Sequence, residues 1–232
     1  HQLLGTHDIA DNQTFNWGVS YNSIKSFMPD RTQTILRHRE DENDYVIASN
    51  SASDNHRYFH DLNENEIALN AAYDYKFNKN ENDQYKGKLV VGYNGKMKKR
   101  EFNARQFNFD IASDQLQIAR DPNNMDGFFN QQNFEQGLFN ISTFRGNNNA
   151  LEPQYYNGDL DVHAGFANLE YQLSSKLFAV VGLRYERISQ NIEWKTQLDN
   201  VGGSVLYEKK AFLLSLNLKY ELTGNQNLRF AA

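Results

Sequence analysis

The chain has 232 residues, a formal net charge of -5 and no cysteine, which excludes a disulfide scaffold, a thiolate metal site and a cysteine nucleophile. Its basic residues are dispersed among acidic ones, so it lacks the basic patch of a nucleic-acid-binding protein. Phenylalanine (16) and tyrosine (13) are abundant whereas proline (3) is scarce, and this composition favours strands joined by turns.

Alternation of apolar and polar residues is the main structural signal, because successive side chains of a strand point to opposite faces. In chain order, alternating segments cover residues 14–22, 66–77, 88–97, 166–173, 177–186 and 214–222, and a last one begins at Asn227. The sequence therefore predicts an all-β protein with about seven antiparallel strands. No run of about 18 apolar residues occurs, so no transmembrane helix is predicted.

The connections between these segments alternate in length. Those at 75–89, 173–177 and 222–228 are short polar turns, whereas those at 22–66, 99–160 and 187–211 are long. Short periplasmic turns and long extracellular loops are the layout of outer-membrane barrels, and such long loops are unusual in compact soluble domains. We therefore predict an antiparallel up-and-down meander in a transmembrane β-barrel with long extracellular loops, its apolar face toward lipid.

Alternation alone leaves two other architectures open. In a soluble, secreted β-sandwich, such as a carbohydrate-binding module, the same apolar faces would form the core and the polar faces would meet water. Such a module is expected to stay monomeric without detergent. A smaller, complete outer-membrane barrel with a structural or adhesive role would share the lipid-facing pattern, but the pattern stops inside a strand at Ala232.

Three stretches of the sequence resemble strands of the TonB-dependent outer-membrane receptors. They are GLRYE at 182–186, LLSLNLKYELTGNQNLRFAA at 213–232, and FNWGVSYN at 15–22 followed by MPDR at 28–31. The resemblance covers most alternating segments but not the long connections, and it rests on order and spacing. It implies that residues 1–232 form part of a large transmembrane β-barrel, a partial barrel without a plug domain, because plugged outer-membrane transporters have about 22 strands.

The resemblance also implies a function in nutrient uptake across the outer membrane of a Gram-negative bacterium. The chain would supply part of a receptor for a scarce nutrient, such as a siderophore, cobalamin, a glycan or a peptide. The expected partners are outer-membrane lipid, the nutrient and the TonB complex, which would act through the plug domain; no nucleic acid is expected. Motifs of hydrolases, phosphate-binding loops and zinc proteases are absent, so we predict neither an enzyme nor a cofactor.

The connection 107–158 is the first candidate site, because it is rich in aromatic and amide side chains that suit a polar organic ligand. As speculative ligand contacts we select Phe128, Phe129, Tyr155 and Tyr156. The same connection contains Phe134, Phe139, Phe144, Asn147, Asn148 and Asn149, and a predicted turn at Asn157 and Gly158. The alternative is that the phenylalanines pack the loop onto itself, around a short helix between Asp126 and Phe139.

Arg184 and Glu186 are the second candidate, since they lie two residues apart on the polar face of one segment. We predict that they face the barrel lumen, where they would contact a plug or stabilise neighbouring strands as a charge pair. His56 and His60 lie near acidic residues, but metal ligands must converge and be supported by neighbours. The sequence therefore predicts no metal site.

Overall fold

The computed structural model describes residues 1–51, 53–143, 154–196, 199 and 201–232, and most of these residues lie in β-strands. In chain order the strands are β1 (Gln2–Ala10), β2 (Gln13–Gln33), β3 (Leu36–Arg39), β4 (Asp44–Ile47), β5 (His56–Lys79), β6 (Tyr85–Ile111), β7 (Ala119–Arg120), β8 (Phe139–Ser142), β9 (Gln154–Gln172), β10 (Leu177–Lys195), β11 (Gly203–Thr223) and β12 (Gln226–Ala231). Within the ranges given above, one α-helix, α1 (Gln131–Glu135), and two single turns of 3-10 helix, Ser113–Gln115 and Met125–Gly127, interrupt the β-structure. Among the described residues, the helices are too short to cross a bilayer.

The main sheet has the order β1-β2-β5-β6-β9-β10-β11-β12, and every pair in it is antiparallel. The predicted up-and-down meander is therefore confirmed. The sequence pattern missed β1, whose adjacent Leu3 and Leu4 break the alternation. The pairing of β1 with β2 shows that backbone hydrogen bonds, rather than amphipathicity, define this strand.

The long strands extend well beyond the segments that alternation marks. β6 has 27 residues and β5 has 24, whereas a membrane crossing needs about 9 to 11. The predicted long connection at 187–211 is wrong, because β10 and β11 remain paired as far as Trp194 and Gly203. Polar residues occupy both faces in this outer part, so alternation stops there while backbone pairing continues.

The register gives the main sheet two chemically different faces near its short turns. We call one the apolar face; it carries Trp17, Val19, Leu69, Ala71, Val91, Leu169, Val181, Leu183, Leu214 and Leu216. The other, the polar face, carries Asn16, Asn70, Asn94, Asn168, Asn217, Lys88, Glu170, Arg184 and Glu186. Large apolar side chains remain exposed on the apolar face, among them Leu214 at 78% and Val181 at 50%, which marks it as a contact surface.

Two long connections fold together beyond the main sheet. β3, β4 and β7 form a small second sheet, in which Val46 of the first connection pairs with Ala119 of the second. The strand β8 pairs with the outer end of β6 and so adds a ninth strand to the main sheet. We call residues 34–48 and 112–142, which include β3, β4, β7, β8 and α1, the loop body. Its core contains Ile47, Phe128 and Phe139, which pack against Phe109 and Ile111 at the outer end of β6. The cluster of buried apolar side chains in the described chain therefore lies where the loop body meets the main sheet.

Candidate functional site

Tyr155 and Tyr156 lie in a strand, where adjacent side chains point to opposite faces. The predicted turn at Asn157 and Gly158 is wrong, because both residues continue β9 and pair with β6. Tyr156 stands opposite Phe102 of β6 and Trp194 of β10. Every second residue of β9 counted from Tyr156 lies on the same side, so Tyr156 belongs to the side of the polar face. Tyr155 points to the other side of the sheet, the side of the apolar face, so the two tyrosines cannot contact one ligand from the same side.

Aromatic and basic side chains gather on the outer part of the polar face, at the end remote from the short turns. The ring of His60 lies 5.6 Å from that of Tyr58 and 5.7 Å from that of Phe102, between centroids. The Arg31 guanidinium sits 4.8 Å from the centre of the Tyr58 ring, a cation–π geometry. Its Nη2 also lies 3.2 Å from Nε2 of His56.

These five residues, Arg31, His56, Tyr58, His60 and Phe102, are called the aromatic–cationic cluster. Residues 56, 58 and 60 alternate along β5 and therefore share a face, while Arg31 stands opposite Tyr58. Burial raises the pKa of the Tyr58 hydroxyl, and the charge of Arg31 partly opposes this shift. A phenol that stays neutral beside a guanidinium offers a ligand both a hydrogen-bond donor and a positive charge.

The sequence reasoning missed this cluster. It considered His56 and His60 only as metal ligands, and among the described residues no group of three His, Cys, Asp or Glu side chains is arranged to hold a metal ion. The spacing of two residues between His56, Tyr58 and His60 was a usable signal once the segment was recognised as a strand. It was hidden because the stretch lacks alternating hydrophobicity.

A network of charges lies next to the cluster on the same face. The Glu64 carboxylate, only 5% exposed, accepts hydrogen bonds from Lys98 Nζ at 2.9 Å and Arg100 Nε at 2.7 Å. Lys98 also lies 3.1 Å from Glu66, which is 3.9 Å from Lys96. The three cations and two carboxylates leave this wall with a net positive charge, and the cross-strand pairs tie β5 to β6.

Arg184 and Glu186 form a charge pair on β10. Nε and Nη2 of Arg184 donate to Glu186 Oε2 at 3.0 and 2.6 Å. Both side chains are partly exposed, at 33% and 21%, and they belong to the polar face as their spacing requires. The pair thus satisfies its own charges while leaving surface that another element could contact.

Phe128 and Phe129 lie in the loop body. Phe128 is 4% exposed, and its ring centroid lies 5.1 Å from that of Phe129 and 5.7 Å from that of Phe139. Arg120 covers it at 4.1 Å, and burial lowers the pKa of that guanidinium. The expected short helix is present as α1, so the structure gives the phenylalanines the packing role and leaves Phe128 almost no surface for a ligand.

The remaining aromatic and amide candidates of this connection fall into two groups. Phe139 is 3% exposed and Phe134 is 37% exposed, so only Phe134 presents a large part of its ring to solvent. Phe144, Asn147, Asn148 and Asn149 lie outside the residues that the structure describes.

A cavity of about 450 Å³ separates the loop body from the strands beneath it, and Phe129, Asn130 and Phe134 line one side. On the other side, Arg57 Nε donates to Asp30 Oδ1 at 2.8 Å. This bond lowers the pKa of the Asp30 carboxyl and raises the pKa of the Arg57 guanidinium, to which Asp126 of the loop body also contributes. The cavity is therefore bordered by a fixed ion pair and by aromatic and amide groups.

Known proteins share this architecture. A family model described as "TonB dependent receptor-like, beta-barrel" matches residues 3–232. The ferric yersiniabactin uptake receptor FyuA from Yersinia pestis has a TM-score of 0.58 and 10% identity, over 98% of this chain and 26% of its own. The siderophore receptor PiuA from Acinetobacter baumannii has a TM-score of 0.56 and 10% identity, over 99% of this chain and 31% of its own.

At 10% identity these two structural similarities show a shared fold alone. The chain spans about a quarter of the length of FyuA and about a third of that of PiuA. No curated protein sequence matches the chain. The soluble sandwich is not supported, since the main sheet is one continuous meander and the family match covers nearly the whole chain.

Proposed function

Because this chain belongs to the TonB-dependent receptor-like β-barrel family, we propose that it forms part of the wall and outer loops of a receptor that imports a scarce nutrient. The receptor resides in the outer membrane of a Gram-negative bacterium, with the apolar face in contact with lipid. The polar face lines the lumen, and Arg184 and Glu186 contact the plug domain, through which the TonB complex acts. Transport, rather than catalysis, is the activity of such an assembly.

The contrast between the two faces supports this placement. A wide surface of apolar side chains such as Leu214 and Val181 is unfavourable in water. Contact with lipid hydrocarbon removes this cost in free energy. Asn70 of β5 and Asn94 of β6 stand opposite each other on the polar face. There, water or a plug domain in the lumen can form hydrogen bonds with their amide groups. This arrangement is the one expected of a large barrel.

The aromatic–cationic cluster is the part of the wall best suited to contact the nutrient, and it is the single observation that carries the ligand assignment. Phe102, Tyr156 and Trp194 stand side by side on three neighbouring strands, so they extend the cluster across the sheet. Aromatic rings offer large contact area at little entropic cost, and Arg31 supplies positive charge.

We assign an anionic metal chelate to this surface as the nutrient. FyuA is named as a ferric yersiniabactin uptake receptor and PiuA as a siderophore receptor. A negatively charged chelate complements the net positive charge around Lys98 and Arg100. Of the four predicted ligand contacts, Tyr156 is the one that lies on this surface. Cobalamin, glycans and peptides serve as the comparison ligands.

The test is equilibrium binding of a panel of ferric siderophores, followed by intrinsic tryptophan fluorescence, to the wild type and to Tyr156→Ala. Tyr155→Ala is the matched control, since it removes the same side chain from the other face one residue away. We expect Tyr156→Ala to weaken binding by about tenfold, equal to about 1.4 kcal/mol, and Tyr155→Ala to leave it unchanged. Equal losses in both variants would contradict the assignment of the faces, and binding of a neutral glycan in place of any chelate would contradict the ligand class.

A further inference from the structure

The outer part of the main sheet carries a group of apolar side chains on the side of the polar face. Every second residue of β9 counted from Tyr156 lies on this side, and the register extends the group to β10 and β11. Val162 stands opposite Ile188, and Ile192 stands opposite Val205. We call the whole group the hydrophobic strip; its members are Leu160, Val162, Ile188, Ile192, Val205 and Tyr207.

The hydrophobic strip reverses the distribution of side chains found nearer the short turns, where the large apolar residues lie on the apolar face. On the other side of the same three strands, Asp161, Ser189 and Glu208 stand opposite one another.

The side chains of the strip are only partly covered by the rest of the described chain. Val205 is 47% exposed and Tyr207 is 49% exposed, and the other four are half-buried. Gln190 and Lys209 lie among them, so the sequence of β10 and β11 shows no regular alternation. Because exposed apolar side chains that lie together indicate a contact surface, the strip is suited to bind hydrocarbon.

The hydrophobic strip borders the cations of the charge network on β6. Lys96 stands opposite Val162, Lys98 stands opposite Leu160, and Arg100 follows two residues later on the same side. Neighbouring strands lie about 4.8 Å apart, so the strip extends from about 5 to about 15 Å from the backbone of β6. Positive charge thus lies at one edge of the surface, and apolar side chains extend from it in one direction.

We infer that the hydrophobic strip binds a hydrocarbon arm of the imported chelate while the cations of β6 bind its anionic head. This inference rests on the proposed function and names the substrate class, an amphiphilic chelate with an acyl chain. A chelate without such an arm would leave the strip in water, whereas a neutral hydrocarbon would leave the charge of Lys98 and Arg100 unmatched. Burial of the arm against the strip removes apolar surface from water on both partners, which favours binding.

The experiment compares two ferric chelates that share one anionic head. The head is a citrate-based dihydroxamate, and one of its arms carries an octanoyl group in the first chelate and an acetyl group in the second. Equilibrium binding to the whole protein in detergent is followed by quenching of tryptophan fluorescence. We expect the octanoyl chelate to bind at least about tenfold more tightly, since burial of about two methylene groups already gives such a factor.

The double variant Val205→Ser/Tyr207→Ser changes the two most exposed positions of the strip. It should lose the preference for the octanoyl chelate, yet bind the acetyl chelate within about twofold of the wild type. Leu206→Ser is the matched control, because Leu206 is 62% exposed and points to the other face of β11; it should keep the preference. Partition of the octanoyl chelate into detergent is the same for all three proteins and does not affect their comparison.

Three outcomes would overturn the inference: equal affinity of the wild type for the two chelates, an unchanged preference in the double variant, or an equal loss of preference in Leu206→Ser. In the last two cases the hydrocarbon arm binds elsewhere. Failure of the proposed function looks different, because the wild type would then bind neither chelate. Binding of both chelates with equal affinity would overturn this inference alone and leave the proposed function intact.

Discussion

Val180 and Val181 are neighbours on β10, yet Val180 stands between Glu170 and Asn217 while Val181 stands between Leu169 and Leu216. Two valines that are adjacent in the chain thus lie on opposite faces of the sheet. We expect Val181→Lys to destabilise the protein in lipid by about 2 to 4 kcal/mol, the cost of a lysine at the middle of the bilayer on the lipid face of a barrel. Val180→Lys should cost much less, and urea unfolding in lipid vesicles measures both. Equal costs would contradict the assignment of lipid and lumen.

Glu64 tests the charge network on the polar face. Replacing it by glutamine removes the carboxylate that accepts from both Lys98 and Arg100, and leaves these cations next to a buried neutral group. We expect Glu64→Gln to lower the free energy of unfolding by about 1 to 3 kcal/mol. Glu101→Gln is the control, since Glu101 pairs with Lys99 at 2.8 Å on the other face with 47% of its side chain exposed, and it should cost under about 1 kcal/mol. If Glu101→Gln lowered the free energy of unfolding more than Glu64→Gln does, the result would contradict a stabilising role of the charge network.

Phe128 tests the packing of the loop body. Phe128→Ala removes a buried ring from among Phe129, Phe139 and Arg120, and should cost about 3 to 5 kcal/mol of local stability. Faster amide hydrogen exchange in the loop body, with unchanged exchange in β10 and β11, is the expected result. Phe134→Ala, at an exposed position, should change exchange far less. If Phe128→Ala weakened nutrient binding without faster exchange, Phe128 would be a ligand contact rather than a core residue.

The membrane-proximal half of the fold was predictable from sequence because one physical rule acts there on every residue. Side chains such as Leu69 and Asn70 must face opposite media, so they alternate, and the short turns at 173–177 and 222–228 follow from where the alternation stops. The outer half obeys no such rule. Trp194 and Gly203 still pair through their backbones, but polar residues lie on both faces of the sheet there, so the sequence shows no hydrophobic alternation.

The candidate site was predicted only in part for the same reason. Tyr156 was selected for its aromatic character within an expected loop, whereas its position derives from the register of β9 with Phe102 and Trp194. Arg31 could not have been joined to Tyr58 from sequence, since the register shift in β2 between Met28 and Arg31 decides which residues stand opposite each other. Long-range register is set by the whole sheet, and a local pattern does not contain it.

The Asp30–Arg57 pair joins β2 to β5 beside the cavity and predicts a pH dependence of this cavity wall. Because Arg57 lowers the pKa of Asp30 below its ordinary value of 3.8, the pair stabilises the folded state above that pH. This contribution is lost as the pH falls through the lowered pKa. A fluorophore at Thr32→Cys, which lines the cavity opposite Arg57 on β5, should therefore gain mobility in anisotropy measurements only below about pH 4. Asp30→Asn should show the higher mobility at all pH values, and an unchanged transition in that variant would assign it to another group.

The most direct test of the account uses the absence of cysteine from the chain. Single cysteines placed at each position of β10 from Leu177 to Arg187, and spin-labelled in lipid vesicles, report collisions with oxygen, which concentrates in lipid, and with a water-soluble nickel complex. We predict high oxygen accessibility at Val181, Leu183 and Tyr185, which are exposed on the apolar face, and low oxygen accessibility at the positions between them. Uniformly low oxygen accessibility on both sets, with the even positions open to nickel, would show that the apolar face is buried in protein and would contradict the barrel wall.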